Sequence, residues 1–181
     1  MSGLEEKTIR SQTIFDGKLI RVFLEEVELP DGRTSTREIV RHPGAVAVLA
    51  FTEEGKLVLV RQYRNPLKKT ILEIPAGKLE PGEDPKVCAF RELEEETGYR
   101  AEEMQPVISF YTSPGFADEI IHLFEARGLM KGELNPDTDE FVEVEELTLE
   151  EAFGKMKEGQ ICDAKTITAL YYWNNRVSGG Q

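Results

Sequence analysis

Gly77–Tyr99, GKLEPGEDPKVCAFRELEEETGY, joins a bent segment to a helix. Gly77, Pro81 and Gly82 bend the backbone first. From Asp84 the pattern is helical: Asp84 can cap, Pro85 suits the first turn, and the helical reading continues to Gly98. On such a helix Glu92, Glu95 and Glu96 fall at i, i+3 and i+4, so one face presents three carboxylates. Like charges on adjacent turns repel by about 0.2–0.5 kcal/mol per exposed pair unless cations neutralise them. Hard divalent ions such as Mg²⁺ prefer such oxygen donors and often retain water beside phosphates. The opposite side carries Ala89, Phe90, Leu93 and Thr97, which can bury against a sheet and fix the backbone beneath the acids. Arg91 can pair with one acid and set its orientation, and Glu83 can return a further carboxylate. Glu94 points elsewhere and reads as solvated, while Cys88 reads as a small core residue.

Upstream, Ala45 to Phe51 and Leu57 to Val60 are nearly continuous apolar runs separated by the turn TEEGK, which predicts a hairpin of central strands. Before them, Thr13 to Arg41 predicts an arm of short strands turning at Pro30-Asp31-Gly32. Two strands alone are marginal, so the arm should pack on the main domain or on another subunit. Downstream, strands are expected over Val107 to Tyr111 and Ile120 to Ala126, around the loop TSPGFADE. Thr148 and Glu151 have capping-box spacing for one helix, and Asp163 can cap another whose apolar face includes Ile167, Leu170 and Trp173. Strands, a mid-chain helix and two C-terminal helices predict an α/β fold with a mixed sheet, divided into an arm over 1–42 and a main domain over 43–181.

Composition narrows the function classes. The chain has 181 residues, 40% apolar, with 34 acidic against 22 basic side chains and a net charge of −12. No basic surface for nucleic acid is expected, although a few local arginines or metal ions still allow an anionic substrate. No apolar run approaches the roughly 18 residues of a membrane span, and the start MSGLEEKTIR lacks the apolar middle of a secretion signal, so a cytoplasmic protein is expected. Cys88 and Cys162 make neither a disulfide framework nor a zinc motif. His42 and His122 are far apart and suggest no Ser-His-Asp arrangement, and the glycine-rich phosphate loop ending in Gly-Lys-Ser/Thr is absent.

Gly77, then Glu83, then Arg91-Glu92-Leu93, then Glu95-Glu96 and Gly98-Tyr99 match every fixed position of a 23-residue pattern. The segment resembles the complete signature box of the Nudix hydrolases. The resemblance implies an α/β/α sandwich around a mixed β-sheet, with an N-terminal strand arm, and metal-dependent hydrolysis of a nucleoside diphosphate linked to another moiety. It implies Glu92 and Glu96 as principal metal ligands, joined by Glu95 and the Ala76 carbonyl, for two or three Mg²⁺ or Mn²⁺ ions. By the same motif, Arg91 would orient the acids and Glu83 would take part in catalysis together with Glu95.

Beyond the box, REIVRHPGAVAVLA, VRQYRNP, LEIPAGKLEPGE and SFYTSPGFADE are similar to the bacterial ADP-ribose pyrophosphatase branch, as is Pro114 fifteen residues after Tyr99. That likeness implies hydrolysis of ADP-ribose to AMP and ribose 5-phosphate by a homodimer, with the arm contributing to the partner's site. A pyrophosphate needs cations, and Arg37, Arg41 and Arg64 can supply paired hydrogen bonds. Phe15 or Phe23 can stack on adenine, with a core or dimer-interface role as the competing reading. Glu73 and Glu119 can meet substrate or metal, and the likeness assigns Ser113, Pro114 and Gly115 to the terminal ribose. It also implies a base in the acidic loop, for which Glu140 is the choice and Asp137 and Asp139 are competitors. The alternatives are a Nudix pyrophosphatase for another nucleotide sugar or dinucleotide, and a non-catalytic nucleotide-sensing domain.

Overall fold

The computed structural model describes residues 3–132 and 141–179. Its contacts divide the chain into two compact units, one of residues 1–44 with 110–120 and the other of 45–109 with 121–181.

In the first unit, β1 (Lys7–Asp16), β2 (Arg21–Glu28) and β3 (Thr34–Arg41) form an antiparallel sheet in that order. Gly32 closes the β2–β3 turn at φ +84°, a conformation that favours glycine, and its N–H donates to the Leu29 carbonyl at 2.9 Å. The first strand begins at Lys7, six residues before the expected start at Thr13. The reason is that Lys7–Gln12 pairs through its backbone and buries no side chain, so it carries no hydrophobic signal. Residues 110–120 join this unit through Val40, whose N–H donates to the Phe116 carbonyl at 2.8 Å and whose carbonyl accepts from the Asp118 N–H at 3.2 Å.

The second unit holds the remaining core. Its strands are β4 (Ala45–Ala50), β5 (Leu57–Arg64), β6 (Lys69–Glu73) and β7 (Ala76–Lys78), then, after helix α1 (Pro85–Thr97), β8 (Tyr99–Arg100), β9 (Glu103–Tyr111), β10 (Ile120–Arg127), β11 (Met130–Lys131) and β12 (Val142–Leu147). Helices α2 (Leu149–Lys157) and α3 (Ala164–Ser178) follow. The expected hairpin of β4 and β5 is replaced by a single bridge between Phe51 and Leu57. Beyond it the strands part: β4 lies between β7 and β10, and β5 between β12 and β6. Both are central, as their apolar runs imply: β4 pairs with β7 and with the distant β10, and β5 with the adjacent β6 and the distant β12. β4 runs parallel to β10 and antiparallel to β7, which makes its sheet mixed.

Helix α1 packs on β4, β7, β5 and β12, while α2 packs on α3 and β12. Cys88, Ala89 and Leu93 of α1 join Val46, Val48, Val58, Met104 and Phe124 in the core. The Thr148–Glu151 capping box starts α2 as expected, and Trp173 of α3 tilts against Phe51 with ring centres 4.8 Å apart. The result is a mixed α/β fold with a central sheet and flanking helices. Among the described residues, no helix is long and apolar enough to cross a membrane.

Candidate active site

The bend before α1 and the helix itself bring the motif together. Asp84 accepts from the backbone N–H groups of Lys86 at 2.8 Å and Val87 at 3.3 Å, and Gly98 ends the helix at φ +70°. Between these ends the carboxylates are less solvated than a charged helix face suggests: Glu92 is 8% exposed and Glu96 only 2%. Cys88, Glu92 and Glu96 form one row four residues apart; the row Ala89, Leu93 and Thr97, expected on the opposite side, lies directly beside it, because successive helix residues stand about 100° apart, and both rows are buried. Their burial follows from that adjacency.

Buried charge requires a partner, and Arg91 supplies it. Its Nε and Nη2 donate to the two oxygens of Glu83 at 3.0 and 3.1 Å, and its Nη1 donates to Glu92 Oε1 at 2.8 Å and Glu95 Oε2 at 2.9 Å. The Arg91 bond holds the Glu83 carboxyl down at about 2, with help from the Glu80 N–H. The Glu83 bond, followed by the Glu92 charge and the Glu95 bond, raises the Arg91 pKa further against the opposing effect of burial. Burial, then the neighbouring acids, pushes the Cys88 thiol up to about 12, so it is an inert packing group. Glu96 turns towards the bend, where its Oε2 accepts from the Ala76 N–H at 2.9 Å. Gly77 is required by contact: a Cβ there would lie 1.8–2.2 Å from the Glu92 carboxyl group.

A second cluster adjoins the first. Arg64 donates from Nε and Nη2 to Glu73, which is only 3% exposed, and the Arg64 charge also interacts with Glu96 and Asp163. Burial lowers the Arg64 pKa, but the Glu73 bond and the surrounding acids outweigh it, and the net shift is upward. Glu73 also receives Lys165, a residue the sequence reading did not single out. Their separation in sequence offers no local spacing from which to find the pair.

The remaining candidates belong to the first unit. Arg41 donates to Asp118 at 3.0 Å, and the other Asp118 oxygen accepts from the His42 N–H at 2.8 Å. Burial opposes Asp118 ionisation, yet these bonds bring its pKa below the usual value. Asp118 thus holds the end of β3 and was missed, although it stands in the quoted SFYTSPGFADE. Arg37 is committed to Glu6, Ser35 and the Thr36 carbonyl. Glu119 accepts from Thr112 Oγ1 at 2.6 Å, and the Ser113 carbonyl accepts from the N–H groups of Phe116 and Ala117, closing the turn over Pro114 and Gly115. Phe15 is exposed, and Phe23 lies under the Arg21 guanidinium, 5.9 Å from the ring centre. Glu140 and its competitors Asp137 and Asp139 lie outside the described residues.

Among the described residues, no three His, Cys, Asp or Glu side chains converge closely enough to hold a metal ion, since Glu92 and Glu95 turn to Arg91 and Glu96 to the Ala76 N–H. The donors are nonetheless all hard oxygens, and the bare Gly77 backbone lets the Glu92 carboxylate lie directly against the bend. In its chemistry the set fits a divalent cation of the Mg²⁺ class.

Residues 40–170 match the model of the NUDIX domain, and residues 6–40 match the nucleoside diphosphate sugar hydrolase N-terminal domain. The methanol dehydrogenase activator of Bacillus methanolicus is 61% identical over 170 residues, covering 93% of this chain and 92% of that protein. The ADP-ribose pyrophosphatase of Bacillus subtilis (strain 168) is 56% identical over 174 residues, or 95% and 94% of the two chains. Among solved structures, a crystal structure of ADP compounds hydrolase superimposes with a TM-score of 0.85 at 20% identity, covering 97% of this chain and 95% of that one, which shows the shared fold. With a complete box spanning the bend and α1 and a family match across most of its length, the chain belongs to the Nudix family, in the branch related to ADP-ribose pyrophosphatase and methanol dehydrogenase activator.

Proposed function

We propose that this protein hydrolyses the pyrophosphate of a nucleoside diphosphate sugar, with ADP-ribose as the leading substrate and AMP and ribose 5-phosphate as products. The observation that carries the reading is the placement of Glu83, Glu92 and Glu95 around one guanidinium, with Glu96 held at the neighbouring bend. Glu92, Glu95, Glu96 and the Ala76 carbonyl would hold the Mg²⁺ or Mn²⁺ ions. When bound, such ions neutralise pyrophosphate oxygens and lower the pKa of coordinated water. Arg91 keeps the acids oriented, and Glu83 fixes Arg91 from the other side. Arg64 grips a phosphate oxygen, and Glu140 accepts the proton of the attacking water, with Asp137 and Asp139 as its competitors. Arg37, Arg41, Phe15, Phe23, Ser113, Pro114, Gly115 and Glu119 are proposed for recognition of the nucleotide and ribose ends, within a homodimer. Light scattering that finds only a 20.5 kDa particle at micromolar concentration removes the dimer from this reading.

The substrate preference rests on the Bacillus subtilis relative, while the N-terminal family match supports the broader class of nucleoside diphosphate sugars. The relative named methanol dehydrogenase activator favours a second reading, in which a bound nucleotide serves regulation of another enzyme. Product analysis with ADP-ribose, ADP-glucose and dinucleotides, in Mg²⁺, Mn²⁺ or chelator, separates them. Chelator-sensitive release of AMP and ribose 5-phosphate from ADP-ribose is expected. Preferential cleavage of another conjugate moves the substrate, and binding without turnover across the panel favours the regulator.

A further inference from the structure

Arg64 uses Nε and Nη2 on a single oxygen of Glu73, while its Nη1 makes no hydrogen bond among the described residues. The other Glu73 oxygen lies 3.3 Å from Lys165 Nζ. Lys165 in turn donates to Asp163 Oδ1 at 3.0 Å, the same oxygen that caps α3 by accepting from the Thr166 N–H at 3.0 Å. Asp163 Oδ2 is buried with no hydrogen-bond partner among the described residues. The start of α3 is further tied to the end of β6 by the Ile74 N–H, which donates to Thr166 Oγ1 at 3.0 Å, and by the Leu72 N–H, which donates to the Gln160 carbonyl at 2.8 Å.

A buried carboxylate facing one arginine would commit most of that cation's attraction to itself. Here Lys165 neutralises Glu73 from the opposite oxygen, and both of its ionic partners are themselves anchored. The Lys165 side chain is 12% exposed and Glu73 4%, so solvent screens this pairing little. Glu73 is thereby fixed in place and holds one edge of Arg64, leaving Nη1 for a ligand oxygen.

We infer that Lys165 and Asp163, at the start of the C-terminal helix, are positioning residues for anion capture: through Glu73 they hold Arg64 ready for the pyrophosphate of the ligand. The inference rests on the nucleoside diphosphate reading above and adds the C-terminal helix to substrate recognition. If Lys165 served only to fasten α3 to the sheet, its loss would lower thermal stability and leave affinity alone.

Binding of the non-hydrolysable α,β-methylene analogue of ADP-ribose in Mg²⁺, measured by calorimetry, tests the inference without turnover. Lys165→Met is expected to weaken binding about tenfold, Asp163→Asn less, and Lys165→Arg to return within about threefold of the wild type. In an Arg64→Ala background, Lys165→Met should weaken binding no further, because its effect runs through Arg64. Unchanged affinity in Lys165→Met, or a tenfold loss that persists without Arg64, overturns the positioning role while the nucleotide reading stands. Failure of the wild type to bind the analogue overturns both.

Discussion

The α1 centre and the N-terminal sheet both pair arginines with acids, and they do so in opposite ways. At α1, Arg91 is 30% exposed and holds three carboxylates, of which Glu83 and Glu92 are 12% and 10% exposed. In the sheet, Arg37 meets one carboxylate, Glu6, with both side chains 35% exposed. The first arrangement concentrates negative charge where water is largely excluded, so side-chain chemistry dictates the geometry. The second decorates a sheet whose register is set by backbone pairing and whose strands bury little beyond Val27. Substitutions at α1 should therefore disturb chemistry first, and those at the exposed Arg37–Glu6 pair should disturb little.

The sharpest break is Glu96→Gln. It removes a charge proposed to bind metal yet keeps an oxygen that can accept from the Ala76 N–H, so the fold should survive while turnover falls by at least about a hundredfold. Steady-state kinetics beside a thermal melt checks this, and an unchanged metal-dependent rate would remove Glu96 from the ligand set. Gly77→Ala should follow. A Cβ there must displace the Glu92 carboxyl that Arg91 holds, costing about 1–3 kcal/mol of stability as overpacking and at least about tenfold in turnover. Denaturant unfolding with parallel kinetics reads both, and a fully active, equally stable variant would show that the close approach is dispensable.

Acid separates the two regions more finely. Glu83 is held at about 2 against a usual 4.5, so its pairing with Arg91 contributes fully above 4.5 and is lost as pH falls towards 2. The difference in melting temperature between the wild type and Glu83→Gln should be flat from pH 7 to 5 and shrink below 4.5. A difference that stays constant to pH 3 would detach it from Glu83 ionisation.

What could be read from the sequence follows the same division. The α1 cap, the left-handed glycine at its end and the acid spacing lie within 23 residues, and local periodicity is enough to place them. The burial of Glu92 and Glu96 was not legible, because three acids on a helix read as a hydrated face until the neighbouring row is seen to pack. Nor was the parting of β4 from β5: a short turn between apolar runs favours a hairpin, and only the parallel pairing with β10, far along the chain, decides against it. Lys165 escaped for the same reason, since its meeting with Glu73 is created by tertiary packing. The early start of β1 left no apolar trace.

The smallest expected effect compares two arginines that the sequence placed side by side as candidates. Arg37 donates from all three guanidinium nitrogens to Glu6, Ser35 and the Thr36 carbonyl, and an added phosphate would have to displace bonds already made. Arg64 keeps Nη1 out of any hydrogen bond among the described residues and stands beside the Glu96 charge. Under the proposed activity, Arg64→Ala should raise KM for ADP-ribose about tenfold or more, as expected for loss of a charged hydrogen bond. Arg37→Ala should raise it by less than about threefold and move the melting temperature by less than about 3 °C, because an exposed ion pair contributes little. A larger KM effect at Arg37 than at Arg64 would reverse the ranking and mean that the Glu6 pairing opens to admit the ligand.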